Sequence, residues 1–281
     1  VKLLDENPRV KSIRLQGLGE PLLTANLRQI VEEIKSRGIS VSTATNGSLL
    51  GSNRYIDLAL EFDALIVSFD TGDAHTFQST RRNSNFHSIV GGIKKLVQRR
   101  NSLCKQPKIF LNTVISHLNY QQIPSLYDIA VKLGIDGIGM TQVWNLYVPK
   151  EREYPEMYAF ALKTRKLTNT INRLAKELGS RLSEKGISLG FRPHQDSYET
   201  TCRWGFDSAY VTCDGFLTSC CVRMNPDVYN LGNVFQDKFS TVWNSRKYQM
   251  FRASMMKALP NGVCDGCPTG IVPPGRSEMK P

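Results

Sequence analysis

An α/β fold built on a parallel sheet, followed by a smaller cysteine-rich region, is predicted by three observations. Between about residues 10 and 145, short β-rich runs alternate with helical apolar patterns, the signature of βα units around a parallel sheet. Beyond about residue 190 the alternation gives way to a hairpin signal, and six of the seven cysteines fall in the last third of the chain. The length of 281 residues, with 41% hydrophobic and 22% charged residues, suffices for a buried core and for one large or two ordinary domains.

The elements follow in order. Val10 to Leu15 reads as a first strand leading into Gly17-Leu18-Gly19-Glu20-Pro21, and Leu27, Ile30, Val31 and Ile34 then recur at helical spacing. Ser40 to Thr45 is the second strand, stopped by the turn pair Asn46-Gly47. Ala64 to Phe69 is apolar enough for a strand buried on both faces, and Phe86, Ile89, Val90, Ile93, Leu96 and Val97 mark an amphipathic helix. Lys108 to Ile115 and Gly137 to Gln142 supply a fourth and fifth strand around a helix through Leu126, Ile129, Ala130 and Leu133. Glu156 to about Ser183 reads as one long basic helix, with Ile187 to Phe191 as a further strand candidate beyond the five. Ala209 to Cys213 and Phe216 to Cys220 flank Asp214-Gly215, a strong short hairpin signal. A single final helix is expected over Phe239 to Lys257, before a loop-like tail rich in Gly, Pro and Cys.

Composition excludes several classes. No apolar stretch approaches the roughly 18 residues of a membrane span, and the chain is too long for a disulfide-stapled miniprotein. No secretory leader is read at its start, so a reducing, cytoplasmic setting with a metal or cluster site is expected rather than disulfides. Lys plus Arg exceeds Asp plus Glu by 36 − 25 = 11; the charge favours anionic partners without choosing among them. Lys94, Lys95, Arg99 and Arg100 read as a solvated helix face. Arg81 or Arg82 could reach a carboxylate in bidentate fashion. The four histidines show no ligand spacing, and Trp204, Tyr210 and Trp243 read as core or shielding aromatics.

The cysteines carry the chemistry. From Cys202 the pattern is C-x12-G-x4-C, ending at Cys220, and Cys264-Asp-Gly-Cys267 follows. Four thiolates, Cys202, Cys220, Cys264 and Cys267, can close a tetrahedral site for either zinc or an iron-sulfur cluster. Cys220 is chosen over Cys221 by its spacing from Gly215, since adjacent strand residues face opposite ways. Cys104 and Cys213 read as small buried hydrophobes, with a redox or hydrogen-donor role for Cys213 a minor alternative.

With these residues in view the chain resembles a radical S-adenosylmethionine (SAM) enzyme carrying a C-terminal SPASM/twitch domain. Gly17-Leu18-Gly19-Glu20-Pro21-Leu22-Leu23 is similar to that superfamily's Gly-Gly-Glu-Pro motif, with Leu18 at the position of the first glycine. Thr45-Asn46-Gly47, Ser68-Phe69-Asp70 and Asn112 resemble the ends of the family's third, fourth and fifth strands. The cysteine pattern, Leu231-Gly232-Asn233 and Val242-Trp243-Asn244-Ser245 are similar to the shorter twitch form, which holds one auxiliary 4Fe-4S cluster. The resemblance implies a partial (β/α)6 TIM-like barrel over residues 1–190 and a SPASM/twitch domain with a hairpin and a helix over 191–281. It carries SAM contacts to Gly19, Glu20, Thr45, Ser68, Asn112 and Met140, and auxiliary-cluster ligation to Cys202, Cys220, Cys264 and Cys267.

One departure stands out: the family's C-x3-C-x2-C, which binds the SAM-cleaving cluster, is absent from this sequence. Residues 1 to 9 are accordingly read as the end of the family's first helix, with the first strand and its second 4Fe-4S cluster missing. The chain is expected to be a fragment that does not cleave SAM alone, a natural member that lost its chemistry being the alternative. The implied whole is an oxidoreductase or maturase using a 5′-deoxyadenosyl radical on a peptide or small-molecule substrate. Its auxiliary cluster accepts an electron, and a flavodoxin or ferredoxin supplies one; neither a membrane nor a nucleic acid is an expected partner. A rival reading is a non-catalytic α/β barrel with a structural four-cysteine zinc site and an anionic partner.

Overall fold

Six short segments with apolar residues at every second position form one parallel sheet in the computed structural model, which describes residues 2–81, 83–104, 107–142, 165–191, 202, 204–221 and 223–256. The strands are β1 (Ser12–Leu15), β2 (Ser40–Thr45), β3 (Ala64–Ser68), β4 (Lys108–Ile115), β5 (Gly137–Gln142) and β6 (Ser188–Phe191). They lie in chain order, each parallel to the next, and β1 and β6 do not pair. The sixth strand raises the count of five: Ser188–Phe191 joins β5 in register, with Gly139 opposite Gly190. Its four residues, Gly190 among them, make this run weak on apolar pattern alone, so its neighbour decides its state.

Helix α1 (Lys2–Asp5) precedes β1 in the chain, and α2 (Leu27–Lys35), α3 (Asn53–Ala59), α4 (Ala74–Thr80), α5 (Phe86–Ser102), α6 (Ser125–Leu133) and α7 (Arg165–Ser183) accompany the strands. Of the long basic helix, residues 156–164 lie outside the described residues. Alternation sorts the sheet's faces. Val41, Thr43, Leu65, Val67, Ile109, Leu111 and Ile138 are at most 1% exposed, whereas Ser42, Ile66, Ser68, Phe110 and Asn112 on the other face are half-buried. The Ala64–Phe69 run is therefore covered on one face rather than two. At α5, Gly92 lets Leu50 approach closely: a Cβ there would stand 2.8 Å from the Leu50 carbonyl carbon.

One acidic device recurs at the strand starts. Asp63, just before β3, accepts the Val41 N–H of β2 at 2.7 Å, and Asp136, just before β5, accepts the Ile109 N–H of β4 at 2.8 Å. Each also binds a cation, Lys35 at 2.9 Å and Arg100 at 2.5 Å. Arg100 is thus a part-buried strut rather than a member of a solvated face; Lys94, Lys95 and Arg99 are exposed as expected. Asp63 is partly desolvated, but the Val41 N–H and Lys35 outweigh that and hold its carboxyl below the ordinary value.

The described residues divide into two compact units, one spanning positions 10–191, the other combining 2–9 with those from 202 onward. In the second, β7 (Tyr210–Val211), β8 (Phe216–Thr218) and β9 (Gly232–Asn233) form an antiparallel sheet in the order 7-8-9. The hairpin is where the sequence places it, with shorter strands. Gly215 sits at φ +89°, and a Cβ on it would strike Phe235 at 2.6 Å, so both conformation and space require glycine. β9 is the element sequence reading misses, being two residues long without apolar alternation.

The single final helix is in fact two, α8 (Phe239–Trp243) and α9 (Arg246–Met256). Ser245 interrupts it: its hydroxyl accepts the Tyr248 N–H at 3.2 Å, which caps a new helix start. Leu217, Leu231, Val242, Tyr248, Phe251 and Met255 form this unit's core. Among the described residues no helix is long and apolar enough to cross a membrane.

Candidate functional site

The C-terminal ends of parallel strands are where open α/β sheets and barrels gather their functional groups. After β1 the chain turns through Gly17–Gly19, and Glu20 caps a short 3-10 turn at Pro21–Leu23. One Glu20 oxygen accepts the Leu22 N–H at 3.2 Å and the Thr45 hydroxyl at 2.8 Å; the other accepts the Asn46 N–H at 2.8 Å. The Thr45 oxygen in turn accepts the Gly47 N–H at 3.1 Å. Glu20 thereby staples the loop after β1 to the end of β2. Three of its roughly four lone-pair positions are used, leaving room for one further donor. A Cβ on Gly19 would meet no protein atom within 4 Å, so this glycine opens space above the strand ends instead of filling a packing need.

Ser68 and Asn112 are register partners across β3 and β4, and Asn112 is in turn partnered by Gly139 of β5. The three make one row on the half-buried face. Met140, one residue on, falls on the opposite face by alternation and is 2% exposed. Its thioether is held in the core, so Met140 could meet a ligand at the row only through its backbone. Thus Glu20 and Thr45 come together, Ser68 and Asn112 come together, and the Met140 side chain joins neither pair.

A second network behind this row has no signal in the sequence beyond an Asp at a strand end and an Asn in the next loop. Asp70, 7% exposed, accepts the Val114 N–H at 3.0 Å and pairs with the Arg81 guanidinium at 2.7 Å. The Asn119 amide donates to the carbonyls of Asp70 and Val114 at 2.9 and 2.8 Å. Arg81, read as an anion-binding candidate, is therefore committed to a carboxylate of its own chain; Arg82 lies outside the described residues. The network fixes the β3 and β4 ends against each other.

In the second unit, Cys202 packs against the core, and the Cys220 sulfur accepts the Arg223 N–H at 3.4 Å. Such N–H donors favour a thiolate. Cys264 and Cys267 lie outside the described residues. Cys221 shares its surroundings with Cys213: burial pushes the Tyr210 phenol up, and the charges of Cys221 and then Cys213 add to this. Cys104 and Cys213, expected as buried hydrophobes, are exposed, because each sits in a polar turn, Cys104 at φ 49° just past α5. Trp243 packs beside Phe239 and Tyr248, with centroids 5.5 and 4.6 Å away, as a core aromatic should.

The Leu231-Gly232-Asn233 and Val242-Trp243 segments prove structural. Leu231 is 2% exposed, Gly232 at φ +135° would drive a Cβ to 2.7 Å from Val242, and the Asn233 amide donates to the Asp214 carbonyl at 3.0 Å. Together they clamp β9 to the hairpin that presents Cys220. Buried polar atoms without a partner, the Ser219 hydroxyl, the Tyr248 hydroxyl and one Arg252 nitrogen, collect in this unit. The part-exposed Cys202 and Cys220 sulfurs, with the unpartnered Ser219 hydroxyl next to Cys220 in sequence, suit a sulfur-rich cofactor.

Comparison with known proteins agrees with this geometry. Residues 202–268 match the SPASM family, an iron-sulfur cluster-binding domain. The tungsten-containing aldehyde ferredoxin oxidoreductase cofactor-modifying protein of Pyrococcus furiosus is 25% identical over 90% of this chain and 73% of its own. A probable GTP 3′,8-cyclase of Sulfurisphaera tokodaii is 24% identical over 82% of this chain and 72% of its own. The crystal structure of Streptococcus suis SuiB bound to precursor peptide SuiA shares the fold, with a TM-score of 0.64 at 15% identity over 91% of this chain; the present chain spans 60% of that one.

The six-stranded parallel α/β sheet with this strand-end motif is the architecture that the resemblance to radical SAM enzymes implies. The match at 202–268 gives the chain a C-terminal SPASM domain, and the sheet before it is similar in fold to that of SuiB.

Proposed function

We propose that the protein is part of a radical SAM oxidoreductase or maturase whose SPASM domain, residues 191–281, holds one auxiliary 4Fe-4S cluster on Cys202, Cys220, Cys264 and Cys267. The observation that carries this reading is the C-x12-G-x4-C and C-x2-C spacing inside the matched segment, with the Cys220 sulfur already taking a backbone N–H. In the whole enzyme SAM and its own cluster would supply radical hydrogen-abstraction chemistry, and the cluster that Cys202, Cys220, Cys264 and Cys267 would hold could serve as an electron acceptor.

This chain's residues have simpler tasks. Gly19 keeps the space above the strands open, and Glu20, held by Thr45 and Asn46, has one acceptor position left for the SAM ammonium. Ser68 and Asn112 offer polar contacts along the row beside it, and the backbone at Met140 lies next in line. Arg81 binds no ligand in this reading, because Asp70 holds it. Without a C-x3-C-x2-C segment, the 281 residues alone are proposed to bind the auxiliary cluster without cleaving SAM.

A peptide or small-molecule substrate is proposed, the peptide reading being supported by SuiB, a protein of the same fold solved with a precursor peptide. A flavodoxin or ferredoxin in the cytoplasm would supply electrons. Anaerobic reconstitution tests the central claim. The protein should turn brown and hold about four irons per chain, and replacing any of the four cysteines by Ala should lower that content sharply. A colourless protein with one zinc would overturn the reading in favour of a structural zinc site.

A further inference from the structure

Ser219 immediately precedes Cys220, is 1% exposed, and its hydroxyl has no hydrogen-bond partner. Leaving a buried hydroxyl unpaired forfeits the hydrogen bond it makes to water, so such a group calls for an acceptor other than the chain itself. The next turn shows what kind. The Arg223 N–H donates to the Cys220 sulfur at 3.4 Å, so this segment already directs one donor at a candidate ligand. Ser219 directly follows β8, two residues after Leu217. Leu217 belongs to the core against which Cys202 packs. Ser219 is thus next to one described candidate ligand in sequence and two residues from a member of the core against which the other packs.

We propose that the Ser219 hydroxyl donates a hydrogen bond to a sulfur of the auxiliary cluster, a ligating thiolate or an inorganic sulfide, and thereby raises the cluster's reduction potential. The inference rests on the reading that Cys202 and Cys220 hold that cluster. Reduction adds one electron and hence one negative charge to the cluster, with no bond made or broken in the protein; the hydroxyl proton stays on Oγ. A donor aimed at sulfur offsets part of the added charge and so favours the reduced form. The Arg223 N–H acts in the same sense but belongs to the backbone. Ser219 is the side chain through which the potential can be set, a positioning and tuning role with no part in hydrogen transfer.

The test uses anaerobically reconstituted full chain, as wild type, Ser219→Ala and Ser219→Thr. It measures iron content, a dithionite titration followed by electron paramagnetic resonance, and the coupling of exchangeable deuterons to the reduced cluster. Ser219→Ala should keep its iron, lose one deuteron coupling and shift the one-electron equilibrium about tenfold toward the oxidised form, about 59 mV lower. Ser219→Thr, which keeps the hydroxyl, should titrate near wild type. If Ala alone loses the cluster while Thr keeps it, the hydroxyl is required and the proposal stands. It is overturned if Ala matches wild type in midpoint and coupling, or if neither variant holds iron, which would make Ser219 a packing requirement. A wild-type protein that takes up no iron overturns the ligand assignment instead.

Discussion

Glu20→Gln should loosen the loop after β1 while leaving the sheet intact. The substitution keeps the shape but replaces one carboxylate oxygen with an amide NH2. If the remaining oxygen keeps Leu22 N and Thr45 Oγ1, the new NH2 faces the Asn46 N–H, donor against donor. The bond lost there was a charge-assisted one at 2.8 Å, worth about 1.5–3 kcal/mol. Because Asn46 is exposed, water takes over its N–H, and the cost falls at the lower end, about 1.5 kcal/mol. For a domain of this size that is a drop of about 3–6 °C in Tm. Glu20→Ala should cost more, about 3 kcal/mol, since the Thr45 hydroxyl, on a residue 2% exposed, then has no acceptor. Differential scanning calorimetry supplies both values, and amide hydrogen exchange should show the Asn46 N–H less protected in each variant. A Glu20→Gln protein that melts within about 1 °C of wild type with unchanged Asn46 protection would refute the claim that this carboxylate organises the loop.

Two further outcomes follow from the packing. Asp63→Ala removes a carboxylate whose folded pKa lies below its ordinary value near 3.8, so its stabilisation is present above that value and is lost as pH falls through the lowered one. After discounting for exposure, the variant should be about 0.5–1 kcal/mol less stable in urea melts at pH 6, and the gap should narrow steadily as pH falls below 3.8; a gap that does not shrink in acid contradicts this. Arg252→Met keeps bulk but loses the 2.6 Å bond to the Gly205 carbonyl and a cation 4.4 and 4.2 Å from the Trp243 and Tyr248 rings. It should lower stability by about 2 kcal/mol. It should also leave the Tyr248 phenol, which burial pushes up and Arg252 pulls down, harder still to ionise in an absorbance titration at high pH.

Much of the fold is legible because its signals are local. The apolar runs at β2, β3 and β4 and the periodic positions of α5 and α6 need no partner to be recognised, and Asp214-Gly215 announces a turn whatever surrounds it. Elements whose state depends on a neighbour are harder to see. Ser188–Phe191 is a strand because β5 offers it a ladder, and Gly232–Asn233 because the hairpin does. Residues 239–256 carry a continuous helical pattern that the capping hydroxyl of Ser245 divides. For the site, the family resemblance singled out Glu20, Ser68 and Asn112, but not the Asp70, Arg81 and Asn119 network, whose members are up to 49 residues apart.

By itself, then, the sequence determined the class of fold, the position of the strand-end motif and the candidate thiolates, since each is written in residue type and short-range spacing. Tertiary structure alone decided which of those groups remain available. It closed Arg81 onto Asp70, turned the Met140 side chain into the core, occupied most of Glu20 with its own chain and left the Ser219 hydroxyl buried without a partner. Availability is a property of surroundings, set by which donors, acceptors and apolar faces the folded chain brings within a few ångströms of each side chain.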